Sequence, residues 1–367
     1  MSVYWNEKTR ILRPYVPGEQ PRDRKYIKLN TNENPYPPSP LVISAIQKAA
    51  GETLKLYPDP ACTELREAAA TRYGVSAGQV FAGNGSDEIL AFAFAAFFGG
   101  DILLFPDITY SFYPVYADFW NVSYKAVPLK QDFSIDISDY LDSSGGLICS
   151  GGAIFPNPNA PTGIALPLAS VRKLAEAAER NKQVLVVDEA YIAFADEEGI
   201  ATAIPLIREF PNLLIVRTLS KEASLAGLRA GFALGSEEII EGLCRIRDSF
   251  NSYTLDRLAL AGASAAMKDA AYYEDINHRV IATRRRVSRE LESLGFRVLP
   301  SQANFLFASP PAGCGKSGQD FFTALKERGI LVRHFNKKRI ADFLRISIGT
   351  DEDMDNFLEA CRKIRGT

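Results

Sequence analysis

Lys221 stands just past the end of an apolar run, in the stretch Arg217-Thr218-Leu219-Ser220-Lys221. The run itself, Leu213 to Val216, reads as a buried strand. Open α/β proteins place ligands beyond the carboxyl ends of their strands, so this lysine is positioned for chemistry. Arg229 follows eight residues later. A second apolar run, Val184 to Val187, ends in Asp188-Glu189-Ala190-Tyr191. A lysine, a carboxylate and an arginine at strand ends fit a pyridoxal phosphate site. The amine forms a Schiff base, the carboxylate faces the pyridine nitrogen, and the arginine holds the phosphate.

Each residue alone has a plainer explanation. Lysines are common on surfaces, and a free one, with a pKa of about 10.4, is a poor nucleophile at neutral pH. Burial beside Arg229 would lower that value and free the amine. Asp188 could merely cap a helix after a strand. Facing a protonated ring nitrogen instead, it makes the ring an electron sink, with Tyr191 in reach of the ring's phenolic oxygen. Gly83-Asn84-Gly85-Ser86-Asp87 leads into a helix beginning near Glu88, and such a turn lets backbone N–H groups approach an anion. Glu88 occupies the place where a dinucleotide fingerprint needs its third glycine, and no Gly-Lys-Ser/Thr is present for a Walker loop.

The elements that must hold these residues follow a βα alternation. Ile102–Phe105, Ser123–Val127, Ala153–Phe155, 184–187, 213–216 and Gly231–Leu234 are the expected strands, with a helix over Pro167–Asn181. That order predicts an α/β fold with a mostly parallel sheet covered on both faces. The opening segment, rich in Pro and Asn, reads as an extended arm. Leu255 to Leu294 reads as one long helical stretch, with Arg284, Arg285 and Arg286 on a solvated face. The last hundred residues change to a shorter αβ pattern. The expected division is residues 1–48 as an arm joining the small domain, 49–254 as a large cofactor-binding domain, and 255–367 as an interdomain helix and small C-terminal domain.

Composition narrows the class. At 367 residues the chain exceeds one ordinary core, and 47% hydrophobic content suits a globular protein. Lys plus Arg is 42 against 44 Asp plus Glu, which gives no general attraction to nucleic acid or anionic lipid. The five scattered cysteines lack CxxC spacing and read as reduced thiols of a cytoplasmic protein. Two histidines offer little for a zinc site, so no metal is expected. No signal peptide is apparent, and the longest apolar run, Ile89 to Phe98, is too short to span a bilayer.

Seven motifs in order extend the reading. They are Leu29-Asn30-Thr31-Asn32-Glu33-Asn34-Pro35, Tyr57-Pro58-Asp59-Pro60, Gly83 to Glu88, Ala160-Pro161-Thr162-Gly163, Val187 to Tyr191, the lysine segment, and Leu344-Arg345-Ile346-Ser347-Ile348-Gly349-Thr350. Together they resemble the fold-type-I pyridoxal-phosphate aminotransferases, and within them the histidinol-phosphate aminotransferase family. The resemblance implies that Ser86 and Asp87, through their backbone, bind the cofactor phosphate with Ser220 and Arg229. It implies that Tyr110 stacks on the ring, and that Tyr57 reaches the active site of a neighbouring subunit in a homodimer. It implies that Arg345 takes the amino-acid carboxylate, that Arg333 and Tyr15 help to hold a substrate phosphate, and that Asn32 lines the same pocket.

One position departs from the family. An asparagine normally stands before Pro-Thr-Gly and bonds the phenolic oxygen, but here that residue is Ala160. Either Tyr191 holds the oxygen alone or a shifted loop brings Asn159 in. The implied reaction is ping-pong transamination between histidinol phosphate and 2-oxoglutarate. Alternatives on the same motifs are an aromatic amino acid aminotransferase and a threonine-phosphate decarboxylase. A dinucleotide-binding oxidoreductase is disfavoured by the missing glycine.

Overall fold

The structure, a computed structural model, describes residues 2–366. The chain opens with a short helix, Glu7–Ile11, where Asn6 caps the Thr9 N–H. Extended chain then carries β1 (Ile27–Lys28). Seven strands follow: β2 (Val80–Gly83), β3 (Leu103–Pro106), β4 (Tyr124–Val127), β5 (Ala153–Pro156), β6 (Leu185–Asp188), β7 (Leu213–Thr218) and β8 (Gly231–Leu234). They form one sheet in the order β2-β8-β7-β6-β5-β3-β4. Neighbours from β7 across to β4 are parallel, and β8 runs antiparallel to both β7 and β2.

Six of these strands are buried along their whole length, which is why they read as apolar runs rather than alternating ones. Successive residues still point to opposite faces. Leu214 and Val216 pack under helices Gly85–Phe97 and Glu237–Phe250, whereas Leu213 and Ile215 pack under Thr63–Tyr73 and Leu168–Arg180. The edge strand β4 leaves Tyr124, Lys125 and Ala126 exposed.

The chain then builds a second sheet from β9 (Arg297–Val298) and β10 (Phe305–Ser309). After β11 (Ile330–Leu331), it adds β12 (Arg333–His334) and β13 (Leu344–Ser347). The four-stranded order is β12-β13-β10-β9, all antiparallel. β11 instead pairs with β1, Ile27 opposite Ile330, so the arm is stitched to the C-terminal part by backbone hydrogen bonds. One apolar cluster joins Phe305, Ile346 and Phe357 to Leu29 of the arm and to Tyr191 beyond β6.

Several elements differ from the sequence expectation. β2 was not foreseen, since it is a four-residue run whose partner, β8, lies far along the chain. The long stretch after residue 255 is two helices, Arg257–Lys268 and Ala270–Ser293, broken at Asp269, whose ψ of 50° is not helical. Helices Pro40–Ala49 and Arg257–Lys268 pack together in the cluster that covers the large sheet, so that packing unit extends on both sides of residues 49–254. Arg284 is not on a solvated face. It is buried, donates to the carbonyls of Phe194 (2.7 Å) and Ala303 (2.8 Å), and pairs with Asp196 at 2.7 Å. A buried guanidinium has to be partnered, and here it ties the long helix to loops of both sheets.

Candidate active site

The carboxyl ends of β6 and β7, the turn after β2 and the edge of the small sheet converge on a cavity of about 270 Å³. Lys221 enters it from the short helix Leu219–Glu222 that follows β7. Its Nζ donates to the Thr31 carbonyl at 3.0 Å. Burial lowers its pKa to about 8; nearby Glu33 opposes the shift and Arg345 adds to it. A good part of the amine is therefore unprotonated slightly above neutrality, which a nucleophile requires.

Asp188 closes β6 and is buried. It accepts from the Tyr113 hydroxyl and from the Ala190 N–H, each at 3.2 Å. Burial nevertheless pushes its carboxyl up to about 7, against those two hydrogen bonds. A carboxyl held in this way gains strongly from a cation placed beside it. Tyr191 is buried too, and its hydroxyl accepts from Asn32 Nδ2 at 3.1 Å.

The anion cradle is built by backbone. Ser86 and Asp87 sit in the first turn of helix Gly85–Phe97, which starts three residues before the expected Glu88. Gly85 has φ +77°, and a Cβ there would lie 2.7 Å from the Arg229 guanidinium. A Cβ on Gly231 would meet the Ser86 N at 2.7 Å, so β8 presses directly on the helix N-terminus. Arg229 reaches Asp87 Oδ2 at 3.2 Å and the Ser220 hydroxyl at 3.4 Å. The Tyr110 hydroxyl donates to Asp87 Oδ1 at 2.7 Å, which stands its ring against the cavity.

The opposite wall is basic. Arg333 and Arg345 are directly paired across β12 and β13. Like charges placed opposite on a sheet destabilise it unless an anion lies between them. Arg345 donates one N–H to the Asn30 carbonyl at 2.9 Å, while its buried Nε has no partner among the described residues. Arg333 is steadied by the carbonyls of Val16 (3.0 Å) and Pro17 (3.2 Å). Tyr15 also lines the cavity and stacks on Phe112, with ring centroids 4.3 Å apart.

Twelve of the residues singled out in the sequence thus meet in one cavity: Tyr15, Asn32, Ser86, Asp87, Tyr110, Asp188, Tyr191, Ser220, Lys221, Arg229, Arg333 and Arg345. Two do not. Asn159 is corrected by the structure, because its amide is taken up by Thr162 of its own loop and by the loop after β3. It donates to the Ile108 carbonyl (3.0 Å) and Thr162 Oγ1 (3.1 Å) and accepts from Thr109, while Ala160 presents its methyl to the cavity. Tyr57 lies outside the cavity, 79% exposed and stacked on Tyr253. Two residues missed in the sequence, Thr31 and Glu33, do line the site; they belong to the same motif as Asn32.

The cavity fits pyridoxal phosphate residue by residue. An amine at about pKa 8 is available for covalent attachment, a buried carboxyl for the ring nitrogen, a hydroxyl for the phenolic oxygen, and a helix N-terminus with Arg229 for the phosphate. The unpartnered Nε of Arg345 remains for a further anion.

Comparisons with known proteins agree. The profile of the family described as "Aminotransferase class I and II" matches residues 24–361. A histidinol-phosphate aminotransferase of Clostridium acetobutylicum is 52% identical over 364 residues, 99% of this chain and 99% of that protein. One from Clostridium beijerinckii is 51% identical over 365 residues, 99% of this chain and 98% of that protein. The structure superposes on histidinol-phosphate aminotransferase from Sinorhizobium meliloti in complex with pyridoxal-5'-phosphate. The TM-score is 0.86 at 26% identity, covering 100% of this chain and 98% of that one. Among the described residues no helix is long and apolar enough to cross a membrane. With a family profile spanning nearly its whole length and full-length relatives at about half identity, the chain belongs to the class I and II aminotransferases, in the company of the histidinol-phosphate aminotransferases.

Proposed function

We propose that this protein is a pyridoxal-phosphate-dependent aminotransferase that moves an amino group between histidinol phosphate and 2-oxoglutarate by a ping-pong mechanism. The observation that carries the substrate class is the Arg333–Arg345 pair, two arginines opposite one another in strand register that both line the cavity. When bound, the cofactor supplies an electron-withdrawing ring that stabilises negative charge on the substrate carbon next to nitrogen.

The chain's own residues do the rest. Lys221 Nζ would hold the cofactor and, when not attached to it, is placed to move a proton at the substrate carbon. Asp188 would face the ring nitrogen and favour its protonated form, Tyr191 would donate to the phenolic oxygen, and the Tyr110 ring would pack on the cofactor. Ser86, Asp87, Ser220 and Arg229 hold the cofactor phosphate. Arg345 takes the carboxylate of glutamate through its free Nε, and Arg333 with Tyr15 takes the phosphate of histidinol phosphate. Arginine suits both duties because its planar fork binds either anion with parallel hydrogen bonds. Glutamate and imidazole-acetol phosphate therefore use one pocket in turn. Residues 49–254, with helices Pro40–Ala49 and Arg257–Lys268 packed on them, form the cofactor-binding unit, and the rest of 255–367, with the arm, supplies the substrate anion clamp.

Steady-state kinetics of each half-reaction test this reading. Arg333→Ala and Tyr15→Phe are expected to raise KM for histidinol phosphate. Losing a hydrogen bond to a charged group costs about 1.5–3 kcal/mol, or roughly tenfold to a hundredfold in affinity. Glutamate should be affected far less. Equal losses for both donors would make Arg333 and Tyr15 general scaffolding, and absence of turnover with histidinol phosphate would overturn the substrate assignment.

We also propose a cytoplasmic homodimer in which Tyr57 completes the neighbouring site. Exposed Leu54, Leu56, Tyr57, Phe250 and Tyr253 support a buried face in an assembly. Mixing inactive Tyr57→Ala with inactive Lys221→Ala protein should restore activity, because hybrid dimers hold one site with both residues intact. No recovery after demonstrated subunit exchange would remove Tyr57 from the partner's site.

A further inference from the structure

We infer that Asn32 is a positioning residue for Tyr191, and that it couples the tyrosine's hydroxyl to the strand that carries the substrate-binding Arg345; this rests on the cofactor reading above. Asn32 is 1% exposed and sits in the left-handed region at φ 57°. Both polar atoms of its side chain are engaged. Nδ2 donates to the Tyr191 hydroxyl at 3.1 Å, and Oδ1 accepts from the Ser347 hydroxyl at 2.9 Å. Its backbone is committed as well, the N–H to Ser347 Oγ at 2.8 Å and the carbonyl to Asn304 Nδ2 at 3.0 Å.

The direction of these bonds has a chemical consequence. Because Tyr191 oxygen accepts from an amide that can only donate there, its own proton is left free to be donated into the cavity. Donation to the oxygen also polarises the O–H bond, strengthening it as a donor. The Ala160 side chain offers no polar atom, and the Asn159 amide is consumed elsewhere. Tyr191 is thus left as the donor for a phenolic oxygen, and Asn32 decides where it points. Ser347 lies on β13, two residues beyond Arg345, so an anion bound at Arg345 and the orientation of Tyr191 share one strand. The other charged or titratable groups acting on Tyr191 are Arg345, Asp188 and Tyr15, with Tyr110 and Tyr113 beside it, and the substitutions below leave all of them in place.

The readout is the pH midpoint at which the lysine-attached cofactor changes its visible absorption. A donor on the phenolic oxygen spreads its negative charge; without it, the oxygen keeps the shared proton on the attached nitrogen to higher pH. Asn32→Gly retains the left-handed backbone and removes the amide. Asn32→Asp keeps the shape but reverses the bond, because a carboxylate accepts the Tyr191 proton. The midpoint is expected to rise by about one pH unit in Asn32→Gly, about 1.4 kcal/mol by the usual conversion. It should rise further in Asn32→Asp, and Ser347→Ala should fall between wild type and Asn32→Gly. Cofactor dissociation constants are measured alongside, and Asn32→Asp carries the test if the glycine variant does not fold. An unchanged midpoint in Asn32→Asp overturns the inference, as does a raised substrate KM with an unmoved midpoint, which would make Asn32 a direct substrate contact. Absence of any visible band in the wild type with pyridoxal phosphate overturns the cofactor reading instead.

Discussion

Lys221→Ala is expected to abolish covalent attachment of the cofactor and to lower transamination by about 10⁴-fold or more, since the proton-transfer role alone is worth roughly 10²–10⁴. The fold should persist. The substitution removes an amine from a buried site where burial already disfavours its charge, and among the described residues Lys221 makes a single side-chain hydrogen bond, to the Thr31 carbonyl. Borohydride reduction of the wild type followed by peptide mapping should find the cofactor on residue 221. A label on any other lysine would reassign the site. The attachment should also follow pH. With the amine's pKa lowered to about 8, the rate of cofactor capture by the free protein is expected to rise through that pH and then level off.

Asp188→Asn carries the second large effect. Turnover should fall by roughly 10²–10³-fold or more, the scale seen when a group preorganised for transition-state charge is removed. Near-normal turnover would mean that another group protonates the ring. Stability of the cofactor-free protein should move the other way. The carboxyl is raised from 3.8 to about 7 by burial, so the native state holds the extra proton between those values. This group's contribution is fully present below about pH 4 and is lost as pH rises through about 7, at up to about 1.4 kcal/mol per pH unit. Cofactor-free Asp188→Asn should therefore melt at a higher temperature than wild type above pH 7, with the gap closing toward pH 4. A gap independent of pH would show that the carboxyl titrates normally. Less activity with more stability is the mark of a residue held for chemistry at the expense of the empty fold.

Much of the architecture was legible because the sheet is buried on both faces. A fully covered parallel strand must be a short apolar run, and β3, β5, β6 and β7 were visible as such, with the exposed edge strand β4 and the glycine-led β8 found beside them. β2 escaped because its stability comes from pairing with β8, a contact that no local window contains. The break at Asp269 escaped because helical periodicity continues across it. Arg284 was misread for a related reason: three consecutive arginines look alike in sequence, yet only the tertiary packing turns one inward onto two carbonyls and Asp196.

For the site, the sequence by itself marked the residues that the fold brings to one cavity. Asp188 closes β6, Tyr191 and Lys221 lie in the turns after β6 and β7, and Arg229 just precedes β8, so residue type and local position suffice to mark them, whereas Arg345 lies within β13 and is marked by its motif. The tertiary structure decided the partnerships. That Asn159 faces away while Asn32, from the arm, reaches Tyr191 depends on β1 pairing with β11 and on Ser347 lying beneath the arm. That Arg333 and Arg345 stand opposite one another depends on the register of two strands separated by a loop. Hydrogen bonds and charge pairs over such distances are fixed by how the elements pack, which local residue patterns do not encode.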